Sequence, residues 1–111
     1  MVMLKINTAR RAAACTGSQP ASMIFGGLTS TQVNQTEVWN GSSWTEVNDL
    51  NTTRDNMASL GVTTAALSNG GSPGPTAVAA VVESWNGTSW TETTDINTAR
   101  NAAGGSGTAT E

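Results

Sequence analysis

Trp39-Asn40-Gly41-Ser42-Ser43-Trp44-Thr45-Glu46 returns, 46 positions later, as Trp85-Asn86-Gly87-Thr88-Ser89-Trp90-Thr91-Glu92. The Asn-Gly in each copy is the strongest short-range signal for a β-hairpin, because both residues tolerate the positive φ that a tight turn demands. Trp stands on both sides of each turn, so each hairpin carries two large aromatic anchors. Downstream, Asp49-Leu50-Asn51-Thr52-Thr53-Arg54 returns as Asp95-Ile96-Asn97-Thr98-Ala99-Arg100, and the tail of this element occurs a third time as Ile6-Asn7-Thr8-Ala9-Arg10. Between these landmarks Gly26-Gly27 matches Gly70-Gly71 at an offset of 44. A glycine also follows each Arg by seven positions, at Gly17, Gly61 and Gly107. The two extra residues of the second copy fall near Ser72-Pro73-Gly74-Pro75, a loop by composition. An insertion confined to a Pro/Gly loop is what a structural repeat predicts.

A period of about 45 residues admits few architectures. Helical repeats of this length need apolar stripes at helical spacing, and the chain has none. The punctuation marks four short segments per repeat. Strand one is expected at 12–16, 56–61 and 101–106, and strand two at 21–25 and 64–68. Strand three is expected at 32–39 and 77–85, and strand four at 43–47 and 89–93. The expectation is an all-β fold of antiparallel four-stranded blades.

This pattern resembles the kelch repeat, whose blade has a double glycine after its second strand, an aromatic late in its third and a Trp early in its fourth. Gly26, Gly27, Trp39, Trp44 and Arg54 match those places in one copy, and Gly70, Gly71, Trp85, Trp90 and Arg100 in the next. The chain departs from the family in having Trp for the usual Tyr and a short Trp-to-Trp spacing. The resemblance implies a kelch-like β-propeller segment of about two blades, a single repeat domain over 1–111. The repeats run from about 10–53 and 54–99, with partial edges at 1–9 and 100–111. Repeat units bury their faces against neighbours. Two blades alone leave open faces and sheet edges, so the expected completion is the remainder of a longer propeller or a homo-oligomeric ring. The unmatched edges favour the former.

Composition bounds the chemistry. The 111 residues carry a net charge of −3 and no Lys/Arg cluster beyond Arg10-Arg11, which argues against nucleic-acid binding through a basic face. One cysteine and no histidine exclude an internal disulfide framework, a multi-cysteine zinc site, and Ser-His-Asp or Cys-His catalysis within the chain. No apolar run approaches the roughly 20 residues of a membrane helix, and residues 1–6 are too short for a signal-peptide core. Localisation stays open, with association with a surface or virion as one reading.

The recurring residues read first as framework. The four Trp suit packing between blades, with sugar stacking as the functional alternative. Arg10, Arg54 and Arg100 suit bonds to backbone carbonyls or an acidic neighbour where one blade hands over to the next, with anion binding as the alternative. Glu37 with Glu83, and Glu46 with Glu92, recur because the repeat recurs, whereas an active site is built once. Asp49 and Asp95 suit turn hydrogen bonds, and Cys15 reads as a buried small hydrophobe. The Asn-Gly-Ser/Thr sequons read as turns, and the Gly-Gly pairs lack the Lys-Ser/Thr of a phosphate loop.

No catalytic, cofactor or metal residues are expected. The expected function is non-catalytic binding or scaffolding, with a protein or glycan as ligand and no membrane insertion. Propellers bind through their loops, and the copies differ most at Ser18, Gln19, Thr29, Ser30, Ser72, Pro73, Gly74 and Pro75. Two alternatives stand beside it. One is a structural component of a microbial or phage surface assembly. The other is a piece of a larger kelch-type enzyme with its active site elsewhere, since the family's copper oxidases use histidine and tyrosine ligands and this chain has neither.

Overall fold

In the computed structural model, which describes residues 6–18, 21–74 and 76–101, the described residues form two sheets and no helix. The first sheet comprises β1 (Ala14–Ser18), β2 (Ala21–Phe25), β3 (Thr36–Trp39) and β4 (Trp44–Val47), and the second β5 (Ala58–Val62), β6 (Ala65–Asn69), β7 (Val82–Trp85) and β8 (Trp90–Glu92). Each is an antiparallel meander in which strands pair in sequence order. The sheets do not close into a ring.

The hairpins form at both Asn-Gly sites, but as longer loops over 40–43 and 86–89 in which only the glycine, Gly41 or Gly87, takes a positive φ, 97° in each. The Asn40 side chain accepts from the N–H groups of Ser42 and Ser43, and Asn86 does the same for Thr88 and Ser89. These turns set Trp39 opposite Trp44 and Trp85 opposite Trp90, with ring centroids 5.6 and 5.3 Å apart. That spacing suits a tilted aromatic pair.

Strand alternation gives each sheet two faces. Register places Met23, Phe25 and Thr36 on one face of the first sheet, and Cys15, Ile24, Glu37, Trp39 and Trp44 on the other. The second sheet turns Ala66, Ser68, Glu83, Trp85 and Trp90 toward the first sheet's Met23 face. Trp90 packs on Phe25 at 4.8 Å between ring centroids, and its Nε1–H donates to Thr36 Oγ1 at 3.0 Å. The core of Ala14, Met23, Phe25, Leu50, Met57, Ala66, Trp85 and Trp90 lies in this interlayer. Strand β1 runs beside β5, where Thr16 Oγ1 donates to the Gly61 carbonyl and Ser59 Oγ to that of Cys15.

Several strand limits differ from expectation, for local reasons. Strand one begins at Ala14 and Ala58, because Ala12 and Asn56 adopt φ of 55° and 54° and break extended pairing just before them. Strand two of the second sheet runs one residue later, at Ala65–Asn69. Strand three is short because its leading residues bond elsewhere. The carbonyls of Val33 and Asn34 accept from the N–H groups of Arg54 and Leu50, and those of Ala79 and Ala80 from Arg100 and Ile96. The repeated Leu/Ile-Asn-Thr-x-Arg segment thus lies across the end of each sheet as a strap. Strand four is trimmed to Trp44–Val47 and Trp90–Glu92. Of the strand expected at 101–106, only Asn101 is among the described residues, and it sits in a bend.

Cys15 corrects a sequence expectation. It is exposed rather than buried, because it lies on the face of the first sheet that the second sheet does not cover.

Candidate functional site

Two of the recurring arginines and the glutamates Glu37 and Glu83 are spent on the framework. Arg54 leaves its strap and enters the second sheet, where it donates to the carbonyls of Gly70 and Val81 at 2.7 and 2.9 Å and to Glu83 Oε2 at 2.7 Å. Both side chains of this pair are fully buried. The other Glu83 contacts come from the strap backbone, since the N–H groups of Asn51 and Thr52 also donate to its carboxylate. Burial lowers the Arg54 pKa from its ordinary value, and the charges of Glu83 and Glu92 oppose that shift. The guanidinium stays protonated, as arginine does in proteins.

The first sheet repeats this arrangement. Arg10 donates to the carbonyls of Gly26 and Gln35 at 2.9 and 2.6 Å and to Glu37 Oε2 at 2.6 Å, while the N–H groups of Asn7 and Thr8 donate to the same carboxylate. The expectation that these arginines bond backbone carbonyls and an acidic neighbour holds for Arg10 and Arg54. Arg100 differs: its side chain is exposed, and among the described residues its Nε donates only to the Thr98 carbonyl, at 3.3 Å.

The double glycines make the strap's passage possible. Gly26 has φ +65°, and a Cβ there would lie 2.6 Å from the Arg54 carbonyl oxygen; Gly70 has φ +64° with the Arg100 carbonyl oxygen at 2.5 Å. Only a residue without Cβ admits both the left-handed backbone and so close a chain. Trp85 and Trp90 are buried in the interlayer, and Trp85 Nε1–H donates to the Thr63 carbonyl at 3.0 Å. Trp39 and Trp44 hold the same sheet positions but are only half-buried, on the uncovered face.

The variable loop residues divide between the two ends of the sheets. Ser18 ends β1 at the hairpin-turn end, where its carbonyl accepts from Ser22 Oγ at 2.6 Å. Gln19 and Pro75 lie outside the described residues. Thr29, Ser30, Ser72, Pro73 and Gly74 lie at the opposite end, with the straps. There a groove of about 430 Å³ opens between the sheets, lined by Leu28, Ser30, Thr31, Gln32, Asp55, Asn56, Ser72, Gly74 and Asn101.

Its floor is built by backbone pairing. Asp55 and Ser72 exchange N–H···O bonds of 3.0 and 2.8 Å, which fixes the second sheet's loop against the strand entry. Leu28 bridges Arg11 on one side and Gln32 on the other. Asn101 Nδ2 donates to Ser72 Oγ at 2.7 Å, which accounts for the burial of Ser72 inside an otherwise exposed loop. Asn56 borders the groove with φ 54°, a conformation Asn tolerates better than most residues.

Compared with known proteins, no family model matches the chain and no curated protein matches it in sequence.

The groove's chemistry centres on Asp55. Its side chain is buried, yet its carboxylate oxygens accept only long bonds, 3.4 Å from Gln32 Nε2 and 3.4 Å from Asn56 Nδ2. Good N–H···O bonds are near 2.9 Å, so the carboxylate retains acceptor capacity facing the groove. Gln32, Asn56, Asn101, Ser30 and Thr31 surround it with neutral donors and acceptors. Such a lining presents hydrogen-bond acceptors and neutral donors rather than a cationic surface. Among the described residues no three side chains of the metal-ligating types cluster.

Reading the sequence for repeats passed over Asp55, Gln32, Asn56 and Asn101. The available signal was variation beside constancy: the residue after each recurring Arg is Arg11, Asp55 and Asn101 in turn.

Proposed function

We propose that the two sheets are neighbouring blades of a kelch-like propeller segment and that the chain is a non-catalytic binding and scaffolding module. The observation that carries this reading is a separation of roles. Most of the residues that repeat are used within and between the sheets, while Ser30, Ser72 and Gly74, from loops that differ between copies, line one groove at their end. The β1–β5 neighbourhood and the face-to-face stacking of successive meanders support the blade reading. The acceptor-rich lining around Asp55 favours a glycan or an extended peptide over an anion.

Fluorescently labelled chain applied to glycan and peptide arrays would find the ligand class, with calorimetry on the hits. Removing one hydrogen bond typically costs about 0.5–1.5 kcal/mol. Gln32→Ala and Asn101→Ala therefore weaken binding by up to about tenfold each, and Asp55→Asn changes which donors are preferred. Hits whose affinity is untouched by all three substitutions would place the ligand elsewhere and overturn the groove as the site.

The scaffolding half rests on a different observation. The outward faces of the two sheets correspond, position for position, to the two faces that meet between them.

A further inference from the structure

The strap that caps the first sheet and the strap that leaves the second are the same five residues, Ile-Asn-Thr-Ala-Arg at 6–10 and at 96–100. The first is seen with its receptor. The backbone N–H groups of Asn7 and Thr8 and the guanidinium of Arg10 converge on the Glu37 carboxylate, and Arg10 also takes the carbonyls of Gly26 and Gln35. The middle strap does the same to Glu83. In that case the strap follows the last strand of one sheet and its Arg enters the next. The strap at 96–100 is anchored on its own sheet just as the middle one is: Ile96 N–H donates to the Ala80 carbonyl, Arg100 N–H to that of Ala79, and Gly71 N–H to the Arg100 carbonyl. Its Arg100 side chain is exposed and, among the described residues, bonds only the Thr98 carbonyl.

The faces on either side complete the pattern. The outer face of the second sheet carries Leu60, Val62, Leu67, Asn69 and Val82, of which Val62 is 52% exposed, Leu60, Leu67 and Asn69 are half-buried and Val82 is buried. Leu67, Asn69 and Val82 hold the positions of Met23, Phe25 and Thr36, which receive Trp90. On the outer face of the first sheet, Trp39 and Trp44 hold the positions of Trp85 and Trp90. Position for position the outer faces match the two that meet, although Asn69 and Val82 offer Trp44 neither the ring of Phe25 nor the hydroxyl of Thr36. The strap sequence itself repeats unchanged, and a contact between unlike faces propagates head to tail into a ring or a filament.

We propose that a second copy of this chain docks its first sheet on the outer face of the second sheet, and that residues 96–100 of one copy displace residues 6–10 of the other from Glu37. The N-terminal strap is then an internal competitor. It satisfies Glu37 within the monomer and gives way to an identical segment only when the Trp39–Trp44 face is covered at the same time. This rests on the scaffolding reading and not on the groove, whose residues the test leaves untouched.

The test is the mass of the full chain by light scattering over a concentration series, for the wild type, Arg10→Gln, Arg100→Gln and the double variant. Arg10→Gln removes the competing guanidinium and leaves Arg100 intact, so association tightens by about tenfold or more. Arg100→Gln and the double variant stay monomeric. A peptide of residues 95–101 binds Arg10→Gln, read by Trp fluorescence, and lowers its mass toward the monomer. Should Arg10→Gln lose its β-sheet circular dichroism, Arg10→Lys replaces it, since a lysine keeps the charge but lacks the fork that holds two carbonyls and a carboxylate together. Monomeric Arg10→Gln at every concentration, or association equal with and without Arg100, would overturn the proposal.

Discussion

Replacing Arg54 with methionine tests whether the Arg–Glu pair holds the sheets together. The substitution keeps a long apolar stem and removes the guanidinium. Glu83 then keeps its bonds from the Asn51 and Thr52 backbone but loses its only ion-pair partner among the described residues, and the Gly70 and Val81 carbonyls lose a donor. Breaking a fully buried pair on one side costs about 3–5 kcal/mol. The surviving strap bonds place the expected cost at the lower end, about 3 kcal/mol. Domains of this kind hold about 5–15 kcal/mol in total, so the loss is a large share. With a urea m-value of about 1.5 kcal/mol/M it moves the midpoint by about 2 M. The assay is urea unfolding followed by far-ultraviolet circular dichroism, run on Arg54→Met, Glu83→Gln and the double variant. Because each single change leaves the other group buried without its partner, the double variant costs less than the sum of the singles, with a coupling of about 1–3 kcal/mol. Arg100→Met is the internal control: the same repeat position on an exposed side chain, with an expected change within about 0.5 kcal/mol. An Arg54→Met cost below about 1 kcal/mol, or a coupling indistinguishable from zero, would refute the reasoning.

The aromatic positions give a parallel contrast in thermal melts: Trp90→Ala, in the interlayer against Phe25, costs about 3–5 kcal/mol, and Trp44→Ala on the uncovered face costs less than half of that. Gly26→Ala forces a side chain into a left-handed backbone, a penalty of about 1–2 kcal/mol before its contact with the Arg54 carbonyl is counted, while Gly74→Ala, with nothing within 4 Å of the added Cβ, leaves the urea midpoint unchanged or slightly raised. Cys15 reacts stoichiometrically with a disulfide reagent in the folded monomer at a rate near that of a free thiol, whereas a rate slowed to that of global unfolding would place it inside a covered face.

The groove and the strap answer different questions about the chain. Asp55, itself buried, borders the groove at the end of the sheets, where the loops of two successive repeats meet. The straps act between the layers. If both proposals hold, substitutions in the groove alter ligand binding and leave assembly unchanged, and substitutions at Arg10 and Arg100 do the reverse.

Local chemistry fixed what was legible in the sequence. The Asn-Gly turns, the Gly-Gly pairs and the alternation around each Trp depend on backbone preferences and on neighbours within a few residues. They therefore specify antiparallel four-stranded meanders and their approximate strands without reference to anything distant. Even the arginines' role could be read in outline, because a guanidinium that recurs with the repeat must serve the repeat. Tertiary structure decided the rest. Which carboxylate Arg54 meets is set by the strap crossing from one sheet into the next, a contact spanning 29 positions. Whether Trp39 is buried like Trp85, or Cys15 covered like Ser59, depends on whether another sheet stacks on that face. Identical residues therefore differ in exposure, as Arg10 and Arg100 do, because burial belongs to the stack of layers and not to the repeat that carries the residue.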